Sequence, residues 1–558
     1  MRLPNALMLV WLIGLAATTP TASAAEGPPW SAPQQLSPSG VFGQAGVDAT
    51  GRVLATWVDQ RSGTVFSSTR PSPSSRFSGP VALAQQPALP RRLEVNEAGR
   101  AVLLFGKPDA CPNSILGCAE SLFIRVGRSD GRFGAAEPVT DRSAGPPALA
   151  LSEAGHVALA WQTEPVALRF LGTPPSELRV ALRAPNGRLT RPETLSELDP
   201  DTSARNPSIA INARGDAIVA WEEKREGSGR AEGVSILASY RPAGGSFGRP
   251  DTVWNFRVDG NPRSEFNDGY FPQVAIDPAG AATLLFDADG KRVASRPRGR
   301  RFGAPTLLAR SGAGGELLVG ADGDQVAFWS GPFEPTSFAT RRSPGGVFSP
   351  VTRLAGEVLW SYGGLDAHAN LLLVGTTPPP EQRLVAGVYS RFGFAPQSFT
   401  APPAAGSAGP QDLATNGAGA ATALYTVYSE DFKSAQLMYL DRPADRSPPA
   451  LTVARVRTAG RRISANVTCD EGCRVSAALN LPGSRRALSV RSPNSERTLR
   501  KGATTRLSAR LSPSGRARLR EVLGRNGRAR IRAVVRAEDA SGNVRRARRH
   551  AAARSLLR

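Results

Sequence analysis

The sequence has little of the residues that would mark a metalloenzyme or a cytosolic redox protein. Its 558 residues include only 3 histidines (His156, His368 and His550), 4 cysteines and 5 lysines. Three scattered histidines exclude a histidine-rich metal helix, and neither a Gly-rich phosphate loop nor a serine nucleophile elbow occurs. The cysteines are near neighbours in pairs, Cys111 with Cys118 and Cys469 with Cys473. A zinc centre needs four convergent ligands, and no histidine lies beside a cysteine. Close pairs in even number read instead as disulfides formed outside the cytosol. Asp287-Ala288-Asp289-Gly290 has a calcium-loop flavour but no bidentate glutamate downstream, and reads as a plain turn. No cofactor and no metal site is read from the chain.

Long apolar runs are missing too, with one exception at the start. Arg2 leads into the twelve apolar or small residues Ala6 to Ala17, and a small-residue site, Ala22-Ser23-Ala24, follows. Roughly 20 residues are needed to cross a bilayer as a helix. Charge, apolar run and small residues stand in the order of a secretory signal peptide, residues 1–24. The mature chain is expected to be secreted, extracellular or cell-envelope associated, without an integral membrane span.

Glycine and proline are plentiful, at 57 and 47, while hydrophobic residues remain at 41%. Short apolar strands separated by frequent turns explain both. One phrase recurs: Pro207-Ser208-Ile209-Ala210-Ile211-Asn212-Ala213-Arg214-Gly215-Asp216 runs on to Trp221. Trp57, Phe105, Trp161, Phe286, Trp329 and Tyr425 likewise stand six residues after Gly51, Gly99, Gly155, Gly280, Gly323 and Gly419. A degenerate copy, Leu365 to Val374, has lost the glycine. That makes eight copies spaced 43 to 65 residues apart, each the length of one four-stranded unit. A strand, a tight Gly turn, a strand ending in an aromatic, a third strand and a fourth make up the unit. The fourth strand carries the signature Phe247-Gly248-Arg249-Pro250 or Phe302-Gly303-Ala304-Pro305, and its proline puts it at the sheet edge.

The two ends of the repeat array decide between an open stack and a closed ring. The last copy, through Leu437 to Pro443, lacks its fourth strand. Trp30-Ser31-Ala32-Pro33 at the mature N-terminus matches that missing piece. Supplying it from the other end closes a ring and removes an exposed edge. The expected fold is all-β: an eight-bladed β-propeller over residues 25–441, seven-bladed if the degenerate copy is miscounted. On these residues the chain resembles secreted bacterial β-propeller repeat proteins, loosely the sialidase-like propellers. That resemblance implies a fold and no activity. The turns Val47-Asp48-Ala49-Thr50-Gly51 and Ile276-Asp277-Pro278-Ala279-Gly280 are not the full Asp-box of sialidases, and no arginine triad is anchored.

A linker, 442–449, precedes a second part, 450–558. There apolar and polar residues alternate in Leu451 to Val456, Ile463 to Thr468, Arg474 to Leu479 and Ala529 to Val535, the pattern of a half-buried antiparallel sheet. Cys469 to Cys473 reads as a disulfide pinching a hairpin. The close at Ala537 to Asn543 resembles the end of Ig-like or fibronectin-III-like sandwiches, which implies a small β-sandwich. Charge divides sharply: residues 448–558 hold 27 Lys+Arg and 6 Asp+Glu, a net of +21 out of +22 for the chain. A surface so basic is expected to meet an anionic cell-envelope polymer or glycan. Specific nucleic-acid reading is not expected.

In an antiparallel meander the connections after the second and fourth strands share one face. The insertions fall there: Lys107 to Glu120, Gln162 to Glu177, Glu222 to Gly233 and Trp254 to Tyr270. Candidate ligand-binding residues are Trp254, Phe256, Phe266 and Tyr270 as apolar platforms, with Arg263, Glu222 and Arg225 for charge. No catalytic residue is assigned, and His156 and His368 fall in the recurrent turn. The reading is a non-enzymatic binding protein with a glycan or protein ligand; the alternative is a carbohydrate-active hydrolase or lyase.

Overall fold

The computed structural model describes residues 28–552 apart from 73–74, 86–87, 109–119, 164–175, 197–201, 226–232, 258–270, 332–334, 355, 379–381, 392, 399–406, 430, 432, 455, 460–461, 481–488, 491–494 and 527–529. The recurrent phrase folds the same way in all eight copies. The first residue of each five-residue turn donates its N–H to the carbonyl of the fifth at 2.8–3.1 Å, and the fourth donates back to the first at 2.9–3.0 Å. The fourth position is left-handed, with φ between 73° and 88° at the seven glycines. In the degenerate copy Ala369 adopts it as well, with φ 53°. The turn therefore survives the loss of its glycine.

Each turn joins a first strand to a second that is apolar on both faces. The aromatic that closes the second strand is fully buried in most copies, as at Phe105, Trp161, Trp221, Phe286, Trp329 and Tyr425. These side chains fill the space between neighbouring sheets. The strands of Thr202–Ile211, Ala217–Arg225, Gly233–Arg241 and Asp251–Arg257 show the plan, pairing antiparallel in sequence order. Among the described residues, six sheets of the ring have four strands. A seventh has seven strands, because Glu137–Leu151 runs without a break from the outer edge of one four-strand unit into the inner edge of the next.

The signature Phe-Gly-x-Pro does not lie within the fourth strand, as the sequence suggested, but leads into it. Gly248 and Gly303 still donate to the third strand, at Tyr240 O (2.9 Å) and Ser295 O (3.0 Å), before the ladder begins at Asp251 and Thr306. Proline ends this approach where no N–H is required. The fourth strand is the outermost, as expected.

The ring closes by exchange between its two extremities. Gln34–Ser37 pairs antiparallel with Ala435–Arg442, Gln34 opposite Tyr439 and Gln35 opposite Met438. Ser31 N–H reaches Asp441 O at 2.7 Å, and Trp30 is buried among Leu372, Leu384 and Leu440. Beside this seam, Ala45, Val47 and Trp57 of the first unit pack with Leu424, Leu437 and Tyr439 of the last. Arg70 and Asp441 form a buried ion pair across it, with a second contact from Arg70 Nη2 to Asp441 Oδ1 at 2.6 Å.

The C-terminal part forms two antiparallel sheets. One runs Leu451–Val453, Arg462–Cys469, Thr504–Leu511, Ser489–Val490; the other runs Glu496–Leu499, Cys473–Asn480, Arg530–Asp539, Val544–Ala552. Val467, Val475, Leu507 and Val535 fill the space between them, and Cys469 is bonded to Cys473. A helix, Pro513–Asn526, was not anticipated from the sequence. Ser512 caps it by accepting the Gly515 N–H at 2.8 Å, and Pro513 opens it where a missing N–H costs nothing. Leu519 anchors the helix in the lower core. The pair Cys111 and Cys118 lies outside the described residues.

Candidate functional site

Every strand pair that flanks an insertion ends on the face opposite the five-residue turns. Pro108 and Glu120, Thr163 and Glu177, and Arg225 and Gly233 are facing ends of second and third strands. The structure thus gathers the roots of the insertions on one rim. Arg263, Phe266 and Tyr270 lie outside the described residues, as does the side chain of Phe256. Glu222, Ile236 and Trp254 stand in one row across their sheet. Trp254 is half-buried, packed on Phe286 at 6.3 Å between ring centroids, with the Arg292 guanidinium 4.4 Å above its ring. Glu222 is buried and accepts from Asn206 Nδ2 at 3.1 Å. Arg225 is exposed at the strand end. Glu222 and Trp254 sit at the seam between two units, below the rim; Arg225 alone of the described candidates stands on it.

Two other features of the sequence find structural roles. Asp287 forms an ion pair with the buried Lys291 and accepts the Gly314 N–H at 3.0 Å. His156 lies against the next turn, its ring 3.3–3.5 Å from where a Cβ on Gly215 would be. Burial, with Arg241 and Arg100 nearby, holds its pKa below the usual value.

The first strands of the units line a central channel, with cavities of about 590 Å³ and 220 Å³ along it and about 630 Å³ at the turn-side mouth. The position four residues before each turn reads Gln44, Arg92, Ala148, Ser208, Gln273, Glu316, Tyr362 and Asp412. This layer is mostly polar because an innermost strand leaves N–H groups without a ladder partner. Three of these side chains serve the next unit in the ring by the same bond. Ser208 Oγ accepts from Val274 N at 3.0 Å, Glu316 Oε2 from Gly363 N at 3.3 Å, and Asp412 Oδ2 from Ala45 N at 2.8 Å.

Charge concentrates on one side of this layer. Arg92 pairs with Glu94 at 2.8 Å and attracts Asp412 and Glu316. The ring encloses these groups, although Arg92 is open to the channel space. Burial pushes Glu316 up to about 7, with Asp412 and Glu94 adding to the rise and Arg92 and the Gly363 N–H opposing it. Asp412 is raised for the same leading reason. Burial likewise raises Tyr362, which faces both carboxylates. A carboxyl that exchanges its proton near neutrality is thus held beside an ionic network. Sequence reading missed the cluster because its members come from four different copies. Aligning the copies on their turns would have exposed it.

The C-terminal domain contributes a second charged surface. Ile531, Ala533, Val535 and Ala537 face its core, so the alternate residues of the strand face outward. In register with them on the edge strand, Arg532 stands opposite His550 and Arg536 opposite Arg546, with Arg548 between. Arg536 has an ion-pair partner in Glu538. Like charges directly opposite across a ladder destabilise it.

Pairing order, the shared channel and the closing strand define a β-propeller ring joined to a two-sheet domain. No protein-family model matches the chain, and no curated protein matches it. Among solved structures, similarity extends to the polysaccharide lyase Uly1, at 10% identity over 71% of this chain and 88% of that one, with a TM-score of 0.38. It extends also to prolyl oligopeptidase B from Galerina marginata (9% identity, 73% and 56% covered, TM-score 0.37). The alpha-L-arabinanase of Penicillium chrysogenum is similar at 12% identity over 55% of this chain and 93% of that one, with a TM-score of 0.33. Overlap this slight carries no activity across; the fold rests on the strand pairing itself.

Proposed function

We propose that this is an exported, non-enzymatic binding protein, held to anionic cell-envelope polymer by its C-terminal domain while the insertion rim of the propeller takes a glycan or protein ligand. The carrying observation is the arginine-rich outward face formed by Arg530–Asp539 and Val544–Ala552. A folded domain that aligns cations on neighbouring strands loses stability unless a polyanion meets them. Arg2 with the apolar run behind it and the Cys469–Cys473 disulfide support export. The domain touches the propeller on the turn side: Asn370 Nδ2 donates to Ala540 O at 3.0 Å and Arg391 to Asp539 O at 3.0 Å. These contacts leave the roots of the insertions facing the other way.

The test is retention of the full chain on an anionic wall polymer across a salt series. Wild-type protein should bind at low salt and elute as salt screens the face. The variant Arg546→Ala/Arg548→Ala should elute at clearly lower salt. Equal elution of variant and wild type removes the tether from the proposal. A hydrolase or lyase reading draws on one observation, the proton-exchanging Glu316 beside Asp412 and Arg92. Turnover of an acidic polysaccharide, lost in Glu316→Gln, would replace the binding reading.

A further inference from the structure

Three carboxylates from three separate stretches meet where the linker enters the C-terminal domain. They belong to Asp445, Glu471 and Asp539, and one oxygen of each lies within 4.8 Å of the other two. Oxygens bound to one calcium ion at 2.3–2.6 Å are at most about 5 Å apart, so the three are close enough to share an ion. Local structure fixes each. Asp445 accepts from Ser541 Oγ at 3.1 Å, and its carbonyl accepts from Asn543 Nδ2 at 3.1 Å. Glu471 sits in the turn closed by Cys469 and Cys473, itself tied to Ala450, the first residue after the linker, whose N–H donates to Asp470 Oδ1 at 2.7 Å. Asp539 begins the last turn of the domain.

Asp539 is the telling member. It is 1% exposed; its Oδ1 takes the Asn543 N–H at 2.8 Å, and its Oδ2 has no hydrogen-bond partner among the described residues. Leaving a carboxylate oxygen buried and unsatisfied among like charges costs stability unless a cation completes it. Arg391 does not fill the gap: it donates to the Asp539 carbonyl and pairs with Glu538 at 3.5 Å. Arg442 acts on Asp445 from the propeller side and donates to Gly419 O at 2.9 Å.

We infer that Asp445, Glu471 and Asp539 bind a calcium ion that fastens the linker to the C-terminal domain. All the ligating groups are oxygens, the choice of a hard cation. They sit on turns of unequal geometry, which suits calcium's loose coordination better than the strict octahedron of magnesium. Because Asn370 and Arg391 bind the same 538–540 stretch, the ion also steadies the junction with the propeller.

Calorimetric titration of the chelator-treated full chain with calcium, and separately with magnesium, tests this. One calcium per chain should bind, at least tenfold more tightly than magnesium. Unfolding of the C-terminal domain should move up by about 5 °C or more in calcium. Glu471→Gln, at a half-exposed turn, should keep the fold and lose at least tenfold in calcium affinity. Asp539→Asn should melt at or above wild type in chelator, since it removes a buried charge, and below wild type in calcium. That reversal of order is the signature of an ion. Absence of calcium binding, wild-type affinity in Glu471→Gln, or equal affinity for magnesium overturns the assignment.

Discussion

Replacing Glu316 by glutamine isolates the electrostatic strain of the channel. Glutamine keeps an oxygen to accept the Gly363 N–H and mimics the protonated acid. Glu316 titrates at about 7 in the folded ring against 4.5 for an ordinary glutamate. The folded state therefore holds the proton more tightly than the unfolded chain does. Its contribution is complete below about pH 4.5 and is lost as pH rises through 7, at about 1.4 kcal/mol per pH unit, or about 3 kcal/mol in all. At pH 4.5 the variant and wild type should melt together. At pH 8 the variant should be more stable by about 3 kcal/mol, and Asp412 gains as well by losing a charged neighbour. With an unfolding entropy of about 2.1 cal/mol/K per residue over about 400 residues, that is about 3–4 °C in Tm. Thermal scans by circular dichroism at half-unit steps from pH 4.5 to 8.5 measure it. A Tm difference that stays constant with pH, or a wild type more stable at pH 8, would refute the reasoning.

Other substitutions probe the seam and the turns. Asp441→Asn leaves the Arg70 guanidinium buried without its counter-charge and should cost about 3–5 kcal/mol. Hydrogen exchange should then rise first in Gln34–Ser37 and Gly40–Val47; protection unchanged there would remove the ion pair from ring closure. Gly215→Ala forces a side chain into φ 86° with its Cβ 3.3 Å from the His156 ring, and should cost about 1–2 kcal/mol in denaturant unfolding. A neutral Gly215→Ala would show that the turn relaxes as it does at Ala369.

The ring was legible because its information is local and repeated. Each turn states itself in five residues, and the displaced closing strand showed as a signature at the wrong end of the array. Ser512-Pro513, by contrast, reads equally as a turn, and only packing of Leu519 into the core reveals that a helix follows. Trp254 stood out as an aromatic beside an insertion, yet the row it shares with Ile236 turns it toward Phe286. The channel layer was invisible for another reason. Arg92, Glu316 and Asp412 are unremarkable in their own copies and acquire meaning only when the ring sets them face to face. Each stands four residues before its own turn, so the layer shows only when the copies are aligned on their turns.

The closing strand also sets a timetable for folding. Gln34 meets Tyr439 across 405 positions, a loop whose closure entropy is about 5 kcal/mol. At 5–20 residues per second, synthesis takes roughly 20–80 seconds to deliver the partner strand. Through that interval the first strand waits and the last sheet does not exist. Only when the final repeat has emerged can Gln34–Ser37 find its partner strand and the ring close.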